Sequence, residues 1–286
     1  GVVMHLDLLL AGLRRRVRDG YYGDSADAML DVLRARAKRG RDNGAMTDAW
    51  RTALYGEGHP YVAAGLVRHI SRGVTSEDAA AFRAAHYTPD NATLVIAGRF
   101  DAALADRWID YLFADWRGHA APRTAPRATP TPASLATIDD TAQVAMSIAL
   151  PATEGTRAAR LVAAAMLLEI AEDVRHELGA SYGLAAQLDE QRLAGDYVIS
   201  GSIDASRTGD ALKLLHDRIE HLRADPDAAA SAFVSARRRV LAQLAELDSS
   251  AAGLAGRIQH DTAIGLQMSS DVETSAAVRA LTIESM

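Results

Sequence analysis

The chain carries 9 histidines and no cysteine, so its chemistry must come from imidazole, carboxylate, hydroxyl, guanidinium or phenol groups. A hydrolytic metal site on a helix needs two histidines one turn apart, with a glutamate between them to act on the metal-bound water. No histidine pair in this chain has that separation. The nearest approach is HDRIEH, where His216 and His221 are five residues apart, about 140° around a helix and so on different faces. They read as two surface histidines on a polar stripe. Serine chemistry lacks the GxSxG turn that lifts a nucleophile above a sheet; Ser200 and Ser202 fall in a strand pattern instead. The glycines of GLAGRIQ and YGEGHP lack the lysine and the strand-to-helix context of a phosphate cradle. The residues alone compose no complete active site. RHELGASYG (175–183) still raises a question, because it crowds Arg175, Gly179 and Tyr182 into the point where a helix ends and a strand begins.

The elements that must position these residues divide at RGHAAPRTAPRATPTPAS (117–134). Its prolines, Pro122, Pro126, Pro130 and Pro132, exclude a helix or a central strand and favour an extended linker. At 286 residues, 49% of them hydrophobic, the chain has enough material for two cores. The expected organisation is a first domain over 1–117 that lacks its N-terminal strands, a Pro-rich linker over 118–134 and a second domain over 135–286.

In the first domain, Leu6, Leu9, Leu10, Leu13 and Val17 recur at three and four, predicting a helix over 4–19 that is followed by another over 24–39. A third covers 47–55. TSED (75–78) has the form of a capping box opening a helix that runs to about residue 85. TPDN is a turn, ATLVIAG (92–98) reads as a buried strand, and a helix over 101–113 follows. In the second domain, Val144, Met146, Ile148 and Leu150 alternate through a strand at 142–150. A long helix then starts near Thr156, strands cover 181–189 and 195–204, and helices cover 207–223 and 226–247. Strands and helices segregate, so the fold class is α+β, with antiparallel-rich sheets packed against helices in two similar domains.

A net charge of −6 argues against a general nucleic-acid binder, which would be basic over a whole face. RRRVR (14–18) and RARAKRGR (34–41) read as solvated helix faces and a helix end. No run approaches the roughly 18 apolar residues of a membrane span, and GVVMHLDLLLAGLRRR lacks the order of a signal peptide. Absence of cysteine fits both cytoplasm and periplasm. The Ala- and Arg-rich composition suggests a bacterial source, with the periplasm or cell envelope favoured over the cytoplasm.

Three stretches together resemble the pitrilysin and insulinase family of zinc metallopeptidases, which includes mitochondrial processing peptidase: GEGHPY (56–61), TSEDAAAFRAAHYTPDNATLVIAGRFDAALADRWIDYLFADW (75–116) and VRHELGASYGLAAQLDEQRLAGDYVISGSI (174–203). Their order and spacing cover nearly the whole chain. The resemblance implies paired α+β domains in each half-molecule, and two halves closing around an unfolded peptide. One half carries HxxEH and a distant glutamate as zinc ligands. The other offers an arginine and a tyrosine seven residues apart that contact substrate near the zinc, and Arg175 and Tyr182 have that separation. Gly179 would supply the turn that brings them to one surface. The guanidinium would donate to a peptide carbonyl and the phenol would hydrogen-bond a developing oxyanion.

This chain departs from the family pattern in two ways. HxxEH is absent, and the resemblance places it upstream of residue 1. The third ligand should lie in the helix near 24–39, yet no glutamate precedes Glu57; Asp24, Asp27 and Asp31 are one methylene shorter. The resemblance therefore implies a non-catalytic subunit or half, inert alone, that binds no cofactor, with zinc expected on a partner and extended peptide as substrate. Two alternatives stand beside it: a structural or assembly relative, and a fragment of an active zinc endopeptidase whose HxxEH lies outside this chain. A structural role for Arg175 would pair it with Glu172 or Glu177. His59 and Pro60 read as fixing a loop, His86 and Tyr87 as packing at a helix end, and Asn91 as serving a turn.

Overall fold

The computed structural model describes residues 5–19, 26–39, 50–56, 59, 61–62, 73–120, 143–152, 155–179, 181–267 and 270–286. Contacts divide the chain into two compact units. The first comprises Gly1–Ala45 and Ala63–Thr124, and the second Met46–Val62 and Ala125–Met286. Most of the Pro-rich linker lies outside the described residues. Among them no helix is long and apolar enough to cross a membrane.

The first unit is built of helices α1 (Leu6–Arg14, continued by a π-helical turn over Arg15–Asp19), α2 (Ala26–Arg39), α3 (Ser76–His86) and α4 (Ala102–Phe113). α1 packs against α4. The basic run at its end is partly engaged rather than wholly solvated: Arg14 Nε donates to the Leu112 carbonyl at 2.7 Å, and Arg18 pairs with Asp115. α3 opens on the capping box read from TSED, with Thr75 Oγ1 accepting from the Asp78 amide and Asp78 accepting from the Thr75 amide. It closes where Asn91 Nδ2 reaches back to the His86 carbonyl at 2.8 Å, the turn role assigned to that asparagine. α4 is capped by Asp101, which accepts from the Leu104 amide at 3.0 Å.

ATLVIAG differs from its reading as a buried strand. Residues 92–97 have no regular structure, and Leu94 is 40% exposed. A strand exists only through pairing of its amides and carbonyls with a neighbour. Among the described residues this unit contains no other strand to supply them. Just beyond α4, Gly118 adopts φ 133°, a backbone angle that residues with a Cβ rarely take, and a Cβ there would meet Thr88 Cγ2 closely, at 3.1 Å.

The second unit holds the sheet: β1 (Gln143–Pro151), β2 (Ser181–Glu190) and β3 (Gly195–Asp204), antiparallel in the order β1-β3-β2. Between β1 and β2 runs α5 (Arg157–Leu178); after β3 come α6 (Thr208–Ala224), α7 (Pro226–Asp248), α8 (Ala251–Ala263) and α9 (Ser270–Ala280). Alternation along the strands sends Met146, Leu184, Ile199 and Ile203 to one face, where they pack with Ile170, Ala171 and Val174 of α5 and Leu215 of α6. A second core joins the start of α5 (Ala158, Val162) to Phe233 and Val240 of α7 and Val278 of α9. Helices therefore cover one face of an antiparallel sheet, and the fold is α+β.

A buried ionic cluster locks these elements together. Arg157 Nε contacts Glu190 at 2.8 Å and its Nη2 contacts Asp261 at 2.7 Å, while Arg160 takes the other oxygen of Glu190 at 3.0 Å. The start of α5, the end of β2 and α8 thus meet at one point.

Candidate functional site

α5 is anchored at both ends. Thr156 Oγ1 accepts from the Ala159 amide at 3.2 Å at its start. At its end Gly179 takes the left-handed conformation, φ 58° and ψ 13°, and its amide donates to the Arg175 carbonyl at 3.1 Å. Nothing lies within 4 Å of a Cβ built at Gly179, so the glycine is required for its backbone angle and not for space. The helix thus stops at a fixed residue, and the chain turns into β2.

Arg175 and Tyr182 flank that turn. Val174 is fully buried against the sheet, and the next residue lies about 100° further round the helix, at the edge of the packed face. Arg175 is accordingly exposed. The two acidic neighbours it could have paired with are taken: Glu172 by Arg239, through two contacts of 3.0 Å, and Glu177 by Arg218. The Arg239 hydrogen bond holds the Glu172 carboxyl below its ordinary range. Among the described residues Arg175 makes no ion pair. Tyr182 occupies a break in the β2–β3 ladder, where Ser181 pairs with Ile203 and Gly183 with Ser202, leaving Tyr182 as the extra residue of a bulge. Bulges interrupt pairing and re-aim the chain locally. The site thus combines an arginine without an ionic partner, a left-handed helix cap and a bulged tyrosine.

A second polar cluster lies on the opposite face of the same sheet, toward the β2–β3 turn. Asp196 and Val198 project away from the helices and are nevertheless buried, 1% and 6% exposed, and described residues of the segment 50–62 lie against this end of the sheet. That segment includes a short helical stretch over 50–55. Arg51 bonds Asp189 at 2.8 Å, and the Tyr61 hydroxyl accepts from the Leu193 amide at 2.7 Å. His59, buried, stacks on Tyr55 with ring centres 5.1 Å apart and accepts from the Tyr61 amide through Nδ1 at 3.2 Å. This is the loop-fixing role read for His59; Pro60 lies outside the described residues.

Among the described residues the Tyr55 hydroxyl and Asp196 Oδ1, both buried, have no partner at hydrogen-bonding geometry, although they lie close enough to influence each other. Burial pushes the Asp196 carboxyl up to about 6, and the Asp189 charge adds to the rise, while Tyr55 and Arg51 oppose it. Burial also raises the Tyr55 phenol, with Asp196 reinforcing the effect. Sequence reasoning did not single out this cluster. The one local signal is a carboxylate sharing a strand face with Val198; the covering groups are more than a hundred residues away in sequence.

The family resemblance raises zinc as the group to be fitted. Among the described residues no group of three or more His, Asp or Glu side chains is placed to hold a metal. Asp31 pairs with Arg34 at 2.8 Å, Asp27 is exposed, and Asp24 lies outside the described residues. His216 and His221 are both exposed on α6. These side chains do not compose a zinc site, and what the site can do rests on hydrogen bonding by Arg175 and on the β2 edge.

The model of the family described as the peptidase M16 inactive domain matches residues 73–238. Among curated proteins none matches the chain. A solved peptidase M16 inactive domain from Pseudomonas fluorescens is similar over 93% of this chain and 66% of its own, at 20% identity and a TM-score of 0.77. A chain of Complex III2 from Candida albicans, Inz-5 bound, is similar over 99% of this chain and 72% of its own, at 14% identity and a TM-score of 0.80. The first half of the periplasmic protease PqqL from Escherichia coli gives 99%, 66%, 14% and 0.65 respectively. The chain thus spans about two thirds of the length of these structures.

Proposed function

This chain belongs to the family of the peptidase M16 inactive domain, and from that premise we propose that it acts as the non-catalytic half of a zinc peptidase, holding extended peptide for a zinc-bearing partner. Peptide adds along the exposed β2 edge through main-chain hydrogen bonds, a mode that gives affinity with little sequence preference. Arg175 donates to a substrate carbonyl, and the Tyr182 phenol hydrogen-bonds the oxyanion that develops at the partner's scissile bond. The observation that supports this reading is the exposed guanidinium of Arg175, which among the described residues has no ionic partner while Glu172, Asp173 and Glu177 are paired elsewhere. A guanidinium with purely structural work would be expected to hold one of them.

A second reading, an assembly subunit with no peptidase role, is favoured by the likeness to a chain of Complex III2. Affinity purification of the protein from its native cells, with co-purifying chains identified by mass spectrometry, separates the two. The peptidase reading expects a stoichiometric partner bearing HxxEH. Recovery of the protein alone, or within an unrelated assembly, overturns it.

A further inference from the structure

The first unit contains a cleft that the peptide-holding role does not use. It encloses about 450 Å³ between the π-helical turn after α1, the C-terminal half of α3 and the stretch following α4. Its chemistry comes from Arg18, Arg83, Arg117 and His119, with Tyr87 and Trp116 as flat walls. Among the described residues no carboxylate lines it. In a chain whose net charge is −6, a concave surface with three guanidiniums and no lining acid is a local reversal of sign.

The partners of each lining group are set by the fold. Arg18 pairs with Asp115, outside the lining. Arg83 Nη1 donates to the Arg16 carbonyl at 2.9 Å, and its guanidinium lies 5.4 Å from the Tyr87 ring centre. These contacts hold two of the lining cations in place. The nearby Asp90 is occupied in tying the chain after α4 to the TPDN turn: it accepts from Thr88 Oγ1 at 2.6 Å and the Ala120 amide at 3.0 Å, and lies 3.3 Å from His119 Nδ1. Arg117 is exposed and bonds only the carbonyl of its neighbour Trp116, at 3.1 Å, with no carboxylate among its described contacts. Among the described residues no acid holds its remaining guanidinium donors.

We propose that this cleft binds a small oxyanion, a phosphate or carboxylate group, with Arg117 as the principal donor and Tyr87 and Trp116 receiving any flat or apolar body attached to it. The volume falls within the roughly 300–1,000 Å³ of small-ligand sites. A guanidinium presents paired donors that match the two oxygens of such groups. A concave surface of one sign concentrates the field that draws the anion in.

Isothermal titration of the whole chain at low ionic strength tests this with two probes, inorganic phosphate and N-acetylphenylalanine. Saturable one-to-one binding of either is expected, and Arg117→Ala weakens it by about tenfold or more, the scale of one charged hydrogen bond. Tighter binding of phosphate assigns the site to charge alone; tighter binding of N-acetylphenylalanine assigns the aromatic walls a share. Arg223→Ala, which removes an equal charge from exposed α6, is the control and leaves both affinities unchanged. Arg117 is exposed, so the melting temperature of its variant without anion stays at the wild-type value. Absence of saturable binding by both probes overturns the proposal, as does equal weakening by Arg117→Ala and Arg223→Ala.

Discussion

The two ends of the β2–β3 hairpin spend their polar residues differently. At the turn end, Asp189, Asp196, Tyr55, His59 and Tyr61 are drawn into one covered cluster, and their capacity goes into fastening the segment around 50–62 onto the sheet. At the other end, seven residues and roughly 23 Å along β2 at about 3.3 Å per residue, the helix cap and the bulge leave Arg175 exposed and without an ionic partner. Both ends carry charge, one on the strands themselves and the other on the last turn of α5 where it meets β2. Only one leaves it available to another molecule, and availability, not the presence of polar groups, marks the candidate site.

The largest effect should come from the scaffold that both ends share. Arg157→Ala would remove the guanidinium that Glu190 and Asp261, both largely buried, share, leaving Glu190 to Arg160 and cutting the link between β2 and α8. Breaking a buried ionic cluster from one side costs about 3–5 kcal/mol, and urea unfolding should show a loss of that size. A smaller loss, near 1 kcal/mol, would mean that the cluster contributes little to locking the start of α5 to β2.

The turn end should respond next, and with the opposite sign. The Asp196 carboxyl is raised to about 6 in the fold from an ordinary 3.8, so the folded state holds its proton more tightly than the unfolded chain. The resulting penalty is absent below about pH 4, grows as pH rises through this window, and is complete above about 6. Asp196→Asn removes the charge, so the variant should be more stable than wild type by roughly 2–3 kcal/mol at pH 7.5. The difference should vanish near pH 4. Equal stabilities at both pH values would show that Asp196 is not held under strain beneath Tyr55.

Gly179→Ala should cost about 1 kcal/mol, the price of a left-handed backbone for a residue with a Cβ. No steric term adds to it, since nothing lies within 4 Å of that Cβ. The smallest stability change should follow Arg175→Ala, within about 0.5 kcal/mol, as for a surface residue without partners. A larger loss would move Arg175 to the structural side of the comparison.

What the sequence made legible follows how local each cause is. The capping box at Thr75 and Asp78, the cap at Thr156 and the alternation of Met146 and Ile148 all act over a few residues, and their elements appear where expected. The helices α8 and α9 lie beyond the last element read, and in α8 Gly253 and Gly256 dilute the apolar period that would have announced it. ATLVIAG has the composition of a strand, but composition cannot supply a pairing partner. At the site, the arginine-to-tyrosine spacing and the glycine between them could be read directly. The bulge at Tyr182, and the capture of Glu172 and Glu177 by Arg239 and Arg218, depend on contacts made across the fold. The Asp196 cluster is the extreme case, since Tyr55 covers it from 141 positions away.

The central claim is best tested by the rate at which the complex recovered with this chain cleaves an unfolded peptide, with wild-type chain, Arg175→Ala and Tyr182→Phe compared. The account predicts that each substitution lowers kcat/KM at least tenfold, the scale of losing one hydrogen bond to a carbonyl or oxyanion, while the melting temperature holds. Unchanged rates in both variants would contradict it and leave the chain as a structural member of its family.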